Sequence, residues 1–182
     1  MARRILKFLI LLVASWCIMT FTHESGHILG GWCCGGILQD AQLLPWHMSY
    51  SLFQPDPRPL VTLWCGPVLG VVVPLAIAML TRRPWMWFIA HFCLLANGAY
   101  LAIAWFSGDR YHDTPKLLEN GAHPSTIAIY CMLTISFGYI GFRRSWFGVL
   151  TSTDVGPQPA HSDCNAISQH PVAEQSAESN RE

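Results

Sequence analysis

FLILLVASWCIMTFTHESGHILGGW, residues 8–32, is the stretch whose reading decides the fold. An apolar run leads without a break into His23, Glu24 and His27. With the residues just before it, the run supplies the about 20 apolar positions that a bilayer-spanning helix needs. On a helix, His at i and i+4 project from one face, so both imidazoles can reach one zinc ion. The Glu between them then stands close enough to act on a water at that ion. Ionisable side chains at membrane depth are costly and usually have a function. The expectation is a zinc-dependent peptidase acting in or at the bilayer.

Composition agrees with a membrane location. Of 182 residues, 52% are hydrophobic and 12% charged, against about 25% charged in soluble domains. Formal net charge is zero but unevenly spread. Residues 1–150 carry ten Lys/Arg against six Asp/Glu, and residues 151–182 carry one Arg against five acids. No dense basic cluster points to nucleic acid, and that class is excluded. The seven cysteines form no C-x-x-C pair and no disulfide-like spacing. Most lie in apolar runs, where Cys packs as a small hydrophobe. Cys33-Cys34 are weighed as ligands or acylation sites, with packing preferred.

The fold expected is an all-α integral membrane protein with about four transmembrane helices, near residues 5–32, 60–80, 84–106 and 125–142, forming one membrane-embedded domain over 1–150. The first segment follows Arg3, Arg4 and Lys7 and has the outline of a signal peptide. It lacks a small-x-small cleavage site and leads directly into the His/Glu cluster, so an uncleaved helix is expected. Residues 151–182, rich in Ser, Pro, Gln and acids, read as a disordered polar tail. Arg3/Arg4/Lys7, Arg82/Arg83 and Arg143/Arg144 fall on one side of a four-crossing chain. The excess of positive charge makes that side cytoplasmic, with both termini there. Residues 33–59 and 107–124 then share the opposite side, which allows the second to complete a site begun by His23 and His27.

A hydrolytic zinc site takes three protein ligands and leaves a fourth position for water. The candidates for the third are Asp113, Asp109, His112, His91 and Asn97. Asp113-Thr114-Pro115 also fits a helix cap followed by Pro in the first turn of a helix ended by Gly121. Asp109 also fits a solvated turn after Gly108. The residues by themselves leave both aspartates open. His91 and Asn97, six apart in the third segment, are candidates for substrate or ligand hydrogen bonds, or for helix packing. Gly66-Pro67, with Gly70 and Pro74, marks an irregular second helix that allows close backbone approach to helix 1 or to substrate. Trp46–Phe53 has strand character and could offer an edge to an unwound peptide. His47, His161 and His170 carry no supporting context.

The order of these elements resembles the site-2-protease-like intramembrane zinc metalloproteases: H-E-x-x-H at 23–27, G-P-x-x-G at 66–70, and H-D-T-P-K-L-L-E-N-G-A-H-P at 112–124. The resemblance covers roughly residues 15–125. It implies Asp113, followed by Leu117 and Pro124, as the third ligand, with Asp109 the alternative. It also implies Zn²⁺ as cofactor, Glu24 as general base, and a membrane protein or peptide as substrate within the lipid bilayer. The chain departs from the family in carrying Gly70 where Asn is frequent, and in lacking the L-D-G or N-P-D-G wording around the third ligand. Two rivals stand beside this reading: a catalytically inactive zinc-binding scaffold, and a metal-handling membrane protein. Against the latter, ligand-type residues do not recur down several helices.

Overall fold

Helix boundaries follow the local chemistry of the chain. In a computed structural model, which describes residues 2–47 and 49–151, helix α1 spans Ala2–Cys33, α2 Pro59–Thr81, α3 Pro84–Ser107, α4 Asp113–Glu119 and α5 Pro124–Thr151. Pro opens α2, α3 and α5, where its missing N–H costs nothing and its fixed φ suits the first turn. Gly108 closes α3 at φ 64°, and Gly121 follows α4 at φ 92°; both values lie in the left-handed region that glycine enters freely. The link between α2 and α3 is just Arg82-Arg83, with the Arg82 N–H bonded to the Ala78 carbonyl at 2.9 Å.

α1, α2, α3 and α5 are long and apolar enough to cross a membrane, the architecture of a multi-pass membrane protein. Large apolar side chains such as Val13, Leu80, Phe106, Met132 and Phe137 point outward, as suits a surface solvated by lipid. The last helix outruns the expected 125–142. The apolar pattern stops at Arg143, but nothing there breaks a helix, and α5 continues to Thr151. Residues 152–182, where the disordered tail is expected, lie outside the described residues.

Small residues bring the helices together. Gly26 lies on the backbone of Cys65 and Gly66, and Gly66 lies on the ring of His27, so neither position has room for a Cβ. Gly98 against Thr134, and Gly138 against Leu95, do the same between α3 and α5. Where lipid is the solvent, such close approach supplies the packing that hydrophobicity cannot. One buried cluster joins Met19, Ala78, Met86, Ile89, Ala90 and Cys93. A second joins Leu101, Leu117, Ala122, Ile127 and Cys131, and it seats α4 on the end of the bundle.

Phe8 meets Phe88 at 5.8 Å and Trp146 at 5.2 Å between ring centroids. The neighbours of Lys7, Arg83 and Arg144 therefore share one end of the bundle. The site described below lies towards the other.

A small hairpin, β1 Leu38–Gln42 with β2 Tyr50–Phe53, follows α1. The strands are antiparallel, with Leu38 opposite Phe53 and Gln42 opposite Tyr50, and an irregularity between Leu38 and Asp40. The strand expected within Trp46–Phe53 occupies its last four positions, and β1 is an addition. The hairpin's connecting loop folds back along α1, where the Trp16 indole N–H donates to the Pro45 carbonyl at 3.0 Å. Trp16 precedes His23 by about 10 Å along the helix axis. The apolar tip, Leu43-Leu44-Pro45-Trp46, suits such a depth, and the bond satisfies an indole that would otherwise face hydrocarbon.

Candidate metal and catalytic site

The two histidines of the H-E-x-x-H stretch sit one turn apart on α1, buried, with their Nε2 atoms 3.1 Å from each other. Asp113 enters from α4. Its Oδ2 lies 2.8 Å from His23 Nε2 and 3.4 Å from His27 Nε2. Three ligand-type atoms thus surround one point. Zn–N and Zn–O bonds of about 2.0–2.2 Å place the ligands of a tetrahedral ion about 3.3 Å apart, close to the spacing here.

The other ring nitrogens decide what the Nε2 atoms can offer. His27 Nδ1 donates to the Thr62 carbonyl at 2.9 Å. His23 Nδ1 lies 2.7 Å from Asn97 Oδ1, and the Asn97 amide nitrogen donates to the Cys93 carbonyl at 2.8 Å. That second bond orients the amide with its oxygen towards His23, so His23 Nδ1 is the donor. In the neutral rings, both Nε2 atoms then present lone pairs. Burial by itself would raise the Asp113 carboxyl; it is positive charge on the His27 and His23 rings that holds it well below the usual carboxylate range, and an ion between neutral rings would supply the same charge. Two lone pairs and a carboxylate at these distances repel one another unless a cation lies between them. The donor set, two imidazoles and a carboxylate with their outer hydrogen bonds in place, fits a zinc ion.

Glu24 is buried beside them, and among the described residues its Oε2 has no hydrogen-bond partner. A ligand atom from each of His23, Glu24 and His27 falls within 4.8 Å of the others. Ser49, just before β2, lines the same cleft as Glu24. A buried carboxylate oxygen without a donor costs free energy, and a water supplied by the adjoining cleft would remove that cost. The cleft, of about 400 Å³, is lined by His23, Glu24, His27 and Asp113, by Tyr100 of α3, and by β2.

The remaining candidates divide. Asp109 stays exposed in a turn, its Oδ1 accepting the Tyr111 N–H at 3.0 Å. It does not reach His23 or His27, and the histidine it lies against, at 3.9 Å, is His112. Asp113 is the first residue of α4 and not its cap, which is His112. His112 lies beside Tyr100, with 3.4 Å between Nδ1 and the hydroxyl. His91 is removed from the site: it stacks on Trp87 and bonds Ser145 at 3.1 Å, near the basic end of the bundle. Gly66 takes part by touching His27. Pro67 does not line the cleft, and its carbonyl accepts the Tyr130 hydroxyl at 2.8 Å. Cys33 and Cys34 join no compact ligand group among the described residues.

Sequence reasoning missed Thr62, Ser49, Tyr100 and Thr114. The Thr114 hydroxyl, wholly buried, donates to the Leu101 carbonyl at 2.7 Å and fixes the start of α4. Thr62 contributes through its backbone, for which side-chain chemistry gives no signal.

Asn97 is wholly buried, and its amide fills the space beside Gly70. Replacing it with Leu removes the acceptor for His23 Nδ1. Asn97→Leu should lower zinc affinity by about 10- to 100-fold, as outer hydrogen-bond partners of ligands do. Competition with a chromophoric chelator would measure this, and unchanged affinity would reject the role.

No protein-family model matches this chain, nor does any curated protein or solved structure.

Proposed function

We propose that this chain is a membrane-embedded zinc metalloendopeptidase that hydrolyses peptide bonds of membrane-associated protein or peptide substrates. One observation carries the reading: two imidazole lone pairs, each aimed by a bond at the opposite ring nitrogen, converge with a carboxylate beside a buried carboxylate that has a free oxygen. His23, His27 and Asp113 would hold the ion. When bound, zinc supplies a Lewis acid and lowers the pKa of water towards neutrality.

Glu24 takes the proton of the attacking water and delivers it to the leaving amine nitrogen, the work of a single positioned general base and acid. β2 pairs with β1 along one edge and lines the cleft, so an unwound substrate segment can add to its other edge. A helical substrate must unwind there, because its own hydrogen bonds shield its carbonyls.

The test is metal content together with cleavage. Purified chain should carry about one zinc per molecule and cleave fluorescently labelled casein in detergent. Phenanthroline should abolish cleavage and added zinc restore it, as for a site with one zinc and an open position. A chain that binds no zinc under any loading condition would sink the proposal.

The shared end of the three basic clusters supports an orientation with that end, and both termini, in the cytoplasm. Reporters inserted after Arg83 and after Gly108 should signal from opposite sides, with Arg83 cytoplasmic. Matching signals would remove one crossing from the scheme.

A further inference from the structure

We propose that the Tyr100 hydroxyl is a catalytic hydrogen-bond donor to the scissile carbonyl oxygen, held in that role by His112. The inference rests on the metallopeptidase reading and assigns two residues that the reading leaves idle. As water attacks a peptide carbonyl, negative charge gathers on its oxygen. A donor fixed where that charge develops stabilises the transition state more than the ground state. Glu24 cannot serve, being an acceptor, and His23, His27 and Asp113 are committed as ligands.

Tyr100 is placed for the task. Its ring meets His23 edge-on, with centroids 5.5 Å apart and planes at 87°, and meets His112 at 5.7 Å and 86°. It lines the cleft together with His112, His23 and Glu24. A phenol has one proton to give and two lone pairs to fill. The His112 ring lies beside the hydroxyl, with Nδ1 3.4 Å away, a long contact that keeps the hydroxyl at the cleft. A contact of that length holds the phenolic proton only weakly, so a stronger acceptor in the cleft can take it. His112 is therefore a positioning residue and Tyr100 the group that touches substrate.

The experiment uses zinc-loaded, full-length protein in detergent, wild type and Tyr100→Phe, with two probes of identical peptide sequence. A peptidyl phosphinate carries a tetrahedral P–O⁻ in place of the attacked carbonyl. A mercaptoacyl peptide binds zinc through sulfur and has no such oxygen. Phe keeps the ring contacts to His23 and His112. Calorimetric titration should show phosphinate affinity falling about a hundredfold, in line with removal of one oxyanion donor, and mercaptoacyl affinity changing less than about twofold. Zinc per chain should not change.

Equal weakening of both probes, or no weakening of either, would overturn the proposal. Loss of zinc in Tyr100→Phe would also overturn it, because the hydroxyl would then be acting through Asp113. A wild-type chain that lacks zinc, or holds it and binds neither probe, refutes the metallopeptidase reading and this inference with it. Wild type binding both, with Tyr100→Phe binding the phosphinate equally well, refutes this inference alone.

Discussion

Glu24→Gln protein should keep its full zinc content and lose at least about a hundredfold of its hydrolytic rate, the lower end of what a positioned general base contributes. The substitution changes little in shape, and Glu24 is not among the three atoms that converge at 2.8–3.4 Å. Its unpartnered Oε2 is where the chemistry changes. An amide group there presents N–H or a weakly basic oxygen, and neither can accept the proton of an attacking water. Metal analysis and a casein-cleavage assay on the same preparation separate the outcomes. Loss of zinc along with activity would make Glu24 a structural or ligating residue. Full activity in the Gln variant would remove the general base from the proposed mechanism.

Asp113 gives the other large effect. Asp113→Ala leaves two imidazoles to hold the ion, and Asp113→Asn removes the charge that compensates it. Either should weaken zinc binding by more than the about 10- to 100-fold of an outer-shell change. A capping role would make Asn nearly silent, since Asn caps as well as Asp, but the cap position of α4 belongs to His112. Asp109→Ala should leave zinc affinity unchanged, because that carboxylate is engaged with its own turn. Competitive zinc titration across the three variants decides the matter. Normal binding by Asp113→Asn would transfer the assignment away from Asp113.

Much of the architecture was legible because lipid imposes a simple rule. A spanning segment must be long, apolar and helical, and four stretches of this chain satisfy it with Pro and Gly marking their limits. The length of α5 was misread for a related reason: the apolar run ends at Arg143, whereas a helix ends only where its backbone is interrupted. The pair His23 and His27 was legible through its spacing. Asp113 was not separable from Asp109 by residue chemistry, because one helical turn of displacement is decided by how Thr114 and Leu117 seat α4 against α3. His91 looked equivalent to Asn97 on paper. Six positions along α3, about 9 Å, carry it away from the ligand group, where Ser145 and Trp87 receive it. The return of the hairpin loop onto α1 was not legible, because hydropathy of a short turn says nothing about which carbonyl a distant Trp will find.

Asn97 and Gly70 together suggest what the site demands of an evolving chain. The amide that orients His23 occupies the volume a side chain at position 70 would need. One helix donates the group and its neighbour yields the room. A mutation that gave α2 an amide at 70 would release α3 from supplying one at 97, while both at once would collide. The two positions are therefore expected to vary as a reciprocal pair among descendants of this fold. A signature written for one helix alone will pass over every chain that made the opposite choice.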